Sequence, residues 1–300
     1  MICGKVEVRL VQSRLWMQLA VFLLPPLAAL VFLFVMPLLL TFVYSFWTVD
    51  NNYQLVHTPS LANYEKIAAD PLYLDTLLGS VWMALLTTVF CVVLALPLAW
   101  FIARRVPQRW RVLFIVGLIL PGWVSVLIRT YSMNLVLGES GLLNWALTST
   151  GLIARPMEIL FTETAVVIGL VYIYLPYTMV PIYAAIERLD TPILEAAENL
   201  GAGPIRRFVR VVLPLIKPGI IAGCIITFIP ALGEYLVPNL LGGLQGIMFG
   251  NLIATAFQSF NWPLGSALSV VMLAAIMLVL LGLFRLGAGT RGILGDEEQA

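Results

Sequence analysis

Charge is what this sequence has least of. Only 11% of its 300 residues are Asp, Glu, Lys or Arg, against 61% hydrophobic. A soluble globule carries about a quarter charged residues, so a soluble globular domain is excluded. The net charge of +1 lacks the basic excess that a nucleic-acid partner requires. There is one histidine, His57, which leaves no basis for a His-built metal cluster. The three cysteines, Cys3, Cys91 and Cys224, are scattered, and two lie in apolar runs. They read as small buried residues rather than a disulfide frame or metal site. No G-x-x-x-x-G-K-[ST] stretch occurs, so the chain has no phosphate-binding Walker loop of its own. No paired carboxylates or Ser/His set points to a catalytic centre.

Long uncharged runs stand in place of charge. Residues 15–49, 76–103, 164–186 and 264–284 contain none, and each reaches the ~20 residues needed to cross a bilayer. Six spans are expected at about 17–46, 77–102, 112–137, 164–186, 217–238 and 264–284. Arg129 and Glu234 interrupt the third and fifth. Pro25, Pro26 and Pro37 are tolerable in the first if neighbouring groups satisfy the freed carbonyls. Lys5, Arg9 and Arg14 precede that run as in a signal peptide. The run far exceeds the ~7–15 residues of a cleavable signal, so it reads as a retained span. The chain divides into a segment 1–16, a membrane domain 17–286 and a tail 287–300.

Orientation follows from Lys and Arg in the loops. With the N-terminus in the cytoplasm, fourteen of the seventeen Lys and Arg residues fall on the inside. Only Lys66 and Arg155 fall outside, and Arg129 lies within a span. Both termini and the 187–216 loop are therefore expected in the cytoplasm. Outside, residues 47–76 hold Trp47, Tyr53, Tyr64 and Tyr73, which suit an interfacial belt. Residues 239–263 are uncharged and Gly-rich. Two readings fit them: a segment folded back into the protein or touching a partner, and a flexible connector.

The polar interruption Glu195-Ala-Ala-Glu-Asn-Leu-Gly201, continuing through Arg206, Arg207 and Arg210 to Leu213-Pro214, organises the chain. Ala, Leu and Glu favour helix. Gly201 suits the left-handed residue that ends one, and Pro204 fits the first turn of the next. So charged a helix-turn-helix between spans lies at the surface, not in hydrocarbon.

That stretch resembles the Glu-Ala-Ala signature of the membrane subunits of binding-protein-dependent ABC importers, with Val211 where the signature has Ile. The resemblance extends to Leu120-Pro-Gly-Trp123, Leu127-Ile-Arg-Thr-Tyr131, Pro218-Gly-Ile-Ile-Ala-Gly223 and Phe228-Ile-Pro-Ala-Leu-Gly-Glu234. These are similar to the putrescine and spermidine permease subunits. The implied fold is all-α, six transmembrane helices with a cytoplasmic coupling-helix loop, like a type I ABC importer permease. The implied function is passage of a polyamine, or another small solute, from an external binding protein to the cytoplasm. The implied partners are a second permease subunit, a cytoplasmic ATPase dimer, a soluble substrate-binding protein and membrane lipid. No cofactor is expected in this chain, since ATP is bound by the partner. Glu195, Ala196, Ala197, Gly201, Leu213 and Pro214 are the residues expected to couple to the ATPase. A secondary transporter is the alternative from another class; it predicts internal pseudo-symmetry and midspan carboxylates, of which only Glu234 is present.

Glu234 and Arg129 head the expected pathway residues. An unpaired ionisable group in the membrane costs about 2.5–3.5 kcal/mol on insertion scales, so the two are expected to pair. Such a pair either fixes helix packing alone, or holds Glu234 in the path to meet an ammonium group. Tyr174 and Tyr177 share a helix face near Tyr172. Pro176 and Pro181 free the carbonyls of Tyr172 and Tyr177. Carbonyls beside aromatic rings cradle a cation, or else mark a kinked, lipid-facing helix. Trp123 is open to the same two readings.

The orientation is checked by labelling. In a cysteine-free background, Gly203→Cys is expected to react only from the cytoplasmic side and His57→Cys only from outside. The opposite sidedness would overturn the span count or the orientation.

Overall fold

A computed structural model describes residues 21–50 and 54–288. The expected segment 1–16 and the tail beyond residue 288 lie outside the described residues. Among those described, five helices are long and apolar enough to cross a membrane, or six if one bent pair counts as a span.

Helix α1 runs Val21–Tyr44. A π-turn at Val31–Val35 precedes Pro37, which is how the helix absorbs a residue with no N–H. A two-residue ribbon follows, β1 (Thr48–Val49) antiparallel to β2 (Leu55–Val56), a small exception to the all-α expectation. Helix α2 (Ala62–Ala69) leads into α3 (Pro71–Arg104), capped by the Asp70 side chain accepting from the Leu72 amide at 3.0 Å.

The third span is not the straight helix expected over 112–137. It is two limbs, α4 (Gln108–Ile119) and α5 (Val126–Leu137), joined by a 3-10 turn at Leu120–Trp123. The chain segments on either side are bent by 94°. Pro121 and Gly122 stop the first limb, and Val124 is extended. Twelve residues of α4 rise only ~18 Å, about half of what a bilayer and its interfaces require. Helix α6 (Leu142–Ser149) follows, then α7 (Glu163–Glu187) and α8 (Thr191–Asn199).

The fifth span also departs from expectation. Helix α9 is continuous from Pro204 to Leu232, so the second limb of the polar stretch is not a separate short helix. A π-turn at Phe208–Val212 lets the helix pass Pro214. At the other end α9 stops at Gly233 instead of reaching residue 238. Glu234 and Tyr235 are non-helical, and a short helical segment resumes through a π-turn at Pro238–Gly242. Helices α10 (Phe249–Gln258) and α11 (Trp262–Ala288) complete the chain.

Helices α3, α7 and α9 form the central trio. Small residues let them approach: Ala84, Ala95, Ala99 and Ala103 on α3 are fully or nearly fully buried. A Cβ on Gly219 would lie 2.7 Å from the Pro181 carbonyl oxygen, so only glycine permits that crossing. Lipid is as apolar as Leu, so such close packing rather than hydrophobic exclusion holds membrane helices together. Thr178 and Thr227 add a hydroxyl–hydroxyl bond at the α7–α9 contact.

Of the two readings for residues 239–263, the folded-back segment is the one observed. Leu241, Met248 and Phe249 are fully buried. The Phe249 amide donates to Ser80 Oγ on α3 at 2.7 Å. A Cβ on Gly250 would meet the Glu234 and Gly233 carbonyl oxygens at 2.7 and 2.9 Å. Backbone cannot yield as a side chain can. Gly250→Ala is therefore expected to cost about 1–3 kcal/mol and to lower the melting temperature of the purified protein. At Gly79 an added Cβ meets nothing within 4 Å. Gly79→Ala in α3 is expected to leave that temperature unchanged or to raise it, by about 0.5–1 kcal/mol of helix preference. Equal effects at the two sites would refute the packing account.

Candidate translocation path and coupling surface

Two broken spans bring the expected pathway residues together. Glu234 lies in the gap where α9 has ended and the outer segment has not begun. Its Oε1 accepts from the Leu236 amide at 3.1 Å, and its Oε2 accepts from the Tyr174 hydroxyl at 2.9 Å. One oxygen thus caps the outer helical segment, where a carboxylate is favoured by the exposed amides and the helix dipole. The other is tied to α7.

Arg129 does not ion-pair with Glu234. The ion pairs among the described residues are Arg111–Glu187 at 3.8 Å and Arg207–Glu198 at 2.6 Å. Arg129 is only 6% exposed, and its Nε donates to the Val124 carbonyl at 3.1 Å. It reaches back along α5 and satisfies a carbonyl that the break leaves outside the helical ladder. In place of the expected pair, Arg129 bonds a carbonyl of its own helix break and Glu234 bonds the Leu236 amide and Tyr174. Arg129 still lies within electrostatic range of the Tyr174 hydroxyl, as Glu234 does.

Tyr177 also meets the first break. A Cβ on Gly122 would sit 2.8 Å from the Tyr177 hydroxyl oxygen, so the Pro121-Gly122 turn and α7 are in direct contact. Trp123, next in the chain, is 86% exposed, and Tyr172, Tyr177 and Tyr235 are exposed too. Around the two helix breaks lie a carboxylate, the Tyr174 and Tyr177 hydroxyls and the exposed Trp123 and Tyr235 rings. Among the described residues no group of three His, Cys, Asp or Glu could hold a metal ion.

At the opposite, basic end, the Glu-Ala-Ala stretch folds as α8 and its stop. Gly201 has φ +77. Its amide donates to the Glu198 carbonyl at 2.9 Å, and the Ala202 amide to the Ala197 carbonyl at 3.0 Å. These are the two bonds of a Schellman stop, which explains the fixed spacing from Ala197 to Gly201. Glu195 and Ala196 are exposed, Ala197 is buried, Leu213 is half-buried and Pro214 is exposed. Arg207 bonds Glu198 across the turn at 2.6 Å, so the two limbs are closed on each other. Leu200 is 88% and Ile205 80% exposed, an apolar tip between charged flanks.

Sequence reasoning located both regions but missed the gap at Glu234, the capping by Arg129 and the role of Ser80. Pro121-Gly122 and Pro230, Gly233 and Pro238 were the available signals for the two breaks, since Gly and Pro punctuate helices. No local signal marks Ser80, whose partner is 169 residues away.

Residues 19–288 match the family model described as binding-protein-dependent transport system inner membrane component. The chain is 43% identical over 242 residues to the spermidine/putrescine transport system permease protein PotB of Escherichia coli (strain K12), covering 80% of this chain and 87% of that one. It is 40% identical over 257 residues to the protein of the same name from Haemophilus influenzae, covering 85% and 89%. It is 34% identical over 259 residues to the inner membrane ABC transporter permease protein YdcU of Escherichia coli (strain K12), covering 81% of each. Among solved structures, a bacterial alginate ABC transporter, crystallised in complex with alginate pentasaccharide-bound periplasmic protein, superposes with a TM-score of 0.70 at 16% identity. The match covers 90% of this chain and 93% of that one, and it shows a shared fold. The chain therefore belongs to the family of binding-protein-dependent transport system inner membrane components, the multi-pass permease subunits of ABC importers.

Proposed function

We propose that this permease passes a polyamine, spermidine or putrescine, from an external soluble binding protein to the cytoplasm. The observation that carries the reading is the carboxylate of Glu234, placed in the gap of a broken span and held by the Tyr174 hydroxyl. A polyamine leaving water needs a fixed negative charge to offset lost hydration. Exposed Tyr and Trp faces supply further attraction for ammonium groups through their quadrupoles. The relatives named as spermidine/putrescine permeases support the same solute class.

The drive is ATP hydrolysis in a separate cytoplasmic ATPase dimer, and a second permease subunit completes the path. Support comes from the exposed α8 turn, whose Schellman stop presents Glu195, Ala196, Leu200 and Ile205 to solvent. A rigid turn with an apolar tip suits insertion into a groove on another protein. The basic residues flanking it support a cytoplasmic position for this end. The alginate transporter's complex with a periplasmic protein supports delivery by a binding protein on the other side.

Glu234→Gln keeps an acceptor for Tyr174 and removes the charge. Hydrogen bonds to charged groups contribute about 1.5–3 kcal/mol, so spermidine uptake by the assembled transporter is expected to fall at least ~10-fold with subunit composition unchanged. Parental uptake by Glu234→Gln would rule this carboxylate out of the path. Failure of excess spermidine or putrescine to compete for the labelled solute would reject the substrate class.

At the other end, Gly201→Pro forces a φ near −65° where +77 is needed and removes the amide that closes the stop. Glu195→Arg reverses an exposed charge. Each is expected to leave the permease in the membrane and abolish uptake coupled to ATP hydrolysis. Parental uptake in either variant, with the ATPase bound, would refute the coupling role of this turn.

A further inference from the structure

We propose that Arg104 is a positioning residue that clamps the coupling turn to the inner end of α3. The inference rests on the coupling role proposed above for α8. Three observations meet at this residue. First, Arg104 Nη2 donates to the Ile186 carbonyl at 3.1 Å and to the Leu189 carbonyl at 2.7 Å. These carbonyls belong to the last turn of α7 and the joint that follows it, one residue before the Asp190 that begins α8. The Ile186 carbonyl also accepts from the Leu189 amide at 3.2 Å, and a cation is favoured at a helix C-terminus. Arg104 supplies a further donor and that charge from a different helix.

Second, the guanidinium lies over the Trp100 ring at 5.8 Å, and the Trp100 ring meets the Phe208 ring edge-on at 6.2 Å. Phe208 opens the π-turn in α9, just beyond the coupling turn. The last turn of α3 therefore grips the coupling turn on both limbs, the entry through Arg104 and the exit through Trp100.

Third, the joint borders open space on one side. The Asp190 side chain makes no capping bond to α8. An open cleft of about 480 Å³ runs beside the joint, lined by Arg188, Asp190, Ile193, Leu215 and Gly219 among others. With space on that side, Arg104 holds the joint from α3, alongside the packing of Leu189 and Leu194 into the core and the Arg207–Glu198 bond. Its Nε is buried without a hydrogen-bond partner among the described residues. Buried donors are nearly always satisfied, and this exception sits at the joint that has to move if α8 moves.

The consequence is mechanical. A displacement of α8 by a partner is passed to α3, which reaches the outer segment through Ser80 and Phe249. Removing the clamp should let α8 move without moving the spans.

The test uses the complete transporter in proteoliposomes, with Cys3, Cys91 and Cys224 replaced by alanine and a spin label on Gly203→Cys. Arg104→Gln is expected to increase the label's mobility and to lower spermidine uptake per ATP hydrolysed by at least about fivefold, the lower end of ordinary coupling energies, at unchanged subunit stoichiometry. Arg104→Lys, which keeps the charge without the planar fork, is expected to recover part of both. Trp100→Leu is expected to shift both readouts in the same direction as Arg104→Gln, and it serves if Arg104→Gln does not assemble. An unchanged label spectrum overturns the clamp. A mobile label with an unchanged uptake-to-ATP ratio overturns its role in coupling, and loss of assembly with a parental ratio in the surviving complexes marks a purely structural residue. If the parental complex contains no ATPase, the coupling reading itself fails, and the label spectrum still decides whether Arg104 positions the turn.

Discussion

The structure depends on one constraint, that no backbone N–H or C=O can be left unpaired in hydrocarbon. An unbroken apolar helix meets it without help. A broken span meets it only when other parts of the protein supply donors and acceptors at the break. Both breaks here are serviced in this way. Arg129 takes the Val124 carbonyl at the first, and Glu234 takes the Leu236 amide at the second. The α9 π-turn before Pro214 and the α1 π-turn before Pro37 are milder versions of the same adjustment. Charged residues are scarce in this chain, and these two sit where the backbone itself requires them.

On the proposed polyamine reading, this gives the two charges a second use. The Glu234 carboxylate is held by the Leu236 amide and the Tyr174 hydroxyl, with no fixed cation bonded to it among the described residues. It then remains available to a cation that arrives and leaves. Had Arg129 neutralised Glu234 directly, an incoming ammonium group would have had to compete with a permanent guanidinium. On that reading, the separation of the two charges favours passage over storage. The aromatic faces around the breaks act in the same sense, since cation–π attraction is weaker than a buried ion pair.

Packing and coupling meet in α3. Its alanines let α7 and α9 approach closely. One part of it bonds the folded-back segment through Ser80, and its C-terminal end touches both limbs of the α8 turn proposed to couple, through Arg104 and Trp100. At 34 residues it is ~51 Å long, enough to connect both membrane faces with one rigid element. Close-packed interfaces of this kind shift between arrangements rather than deform smoothly, which is what a transporter that must open to each side in turn needs.

The sequence by itself determined the membrane class, the four long uncharged spans, the sidedness expected of the loops, and the Glu-Ala-Ala turn with its glycine stop. Each of these is a local or compositional property: apolar run length, Lys and Arg placement, and the left-handed residue after a helix. It also singled out Glu234, Arg129, Tyr174 and Tyr177, because ionisable and hydroxyl groups in apolar runs are conspicuous. Only the tertiary structure decided their partners. Arg129 turned to its own chain and Glu234 to a tyrosine 60 residues away, since the two helix breaks set which polar group lay within reach. The uncharged, Gly-rich composition of the outer segment fitted folding back and a connector alike, and its course is set by Ser80 and by Gly250 lying on the carbonyls beside Glu234. Such contacts depend on where helices cross, and crossing is settled by the packing of small residues on several spans at once, which no single stretch of sequence encodes.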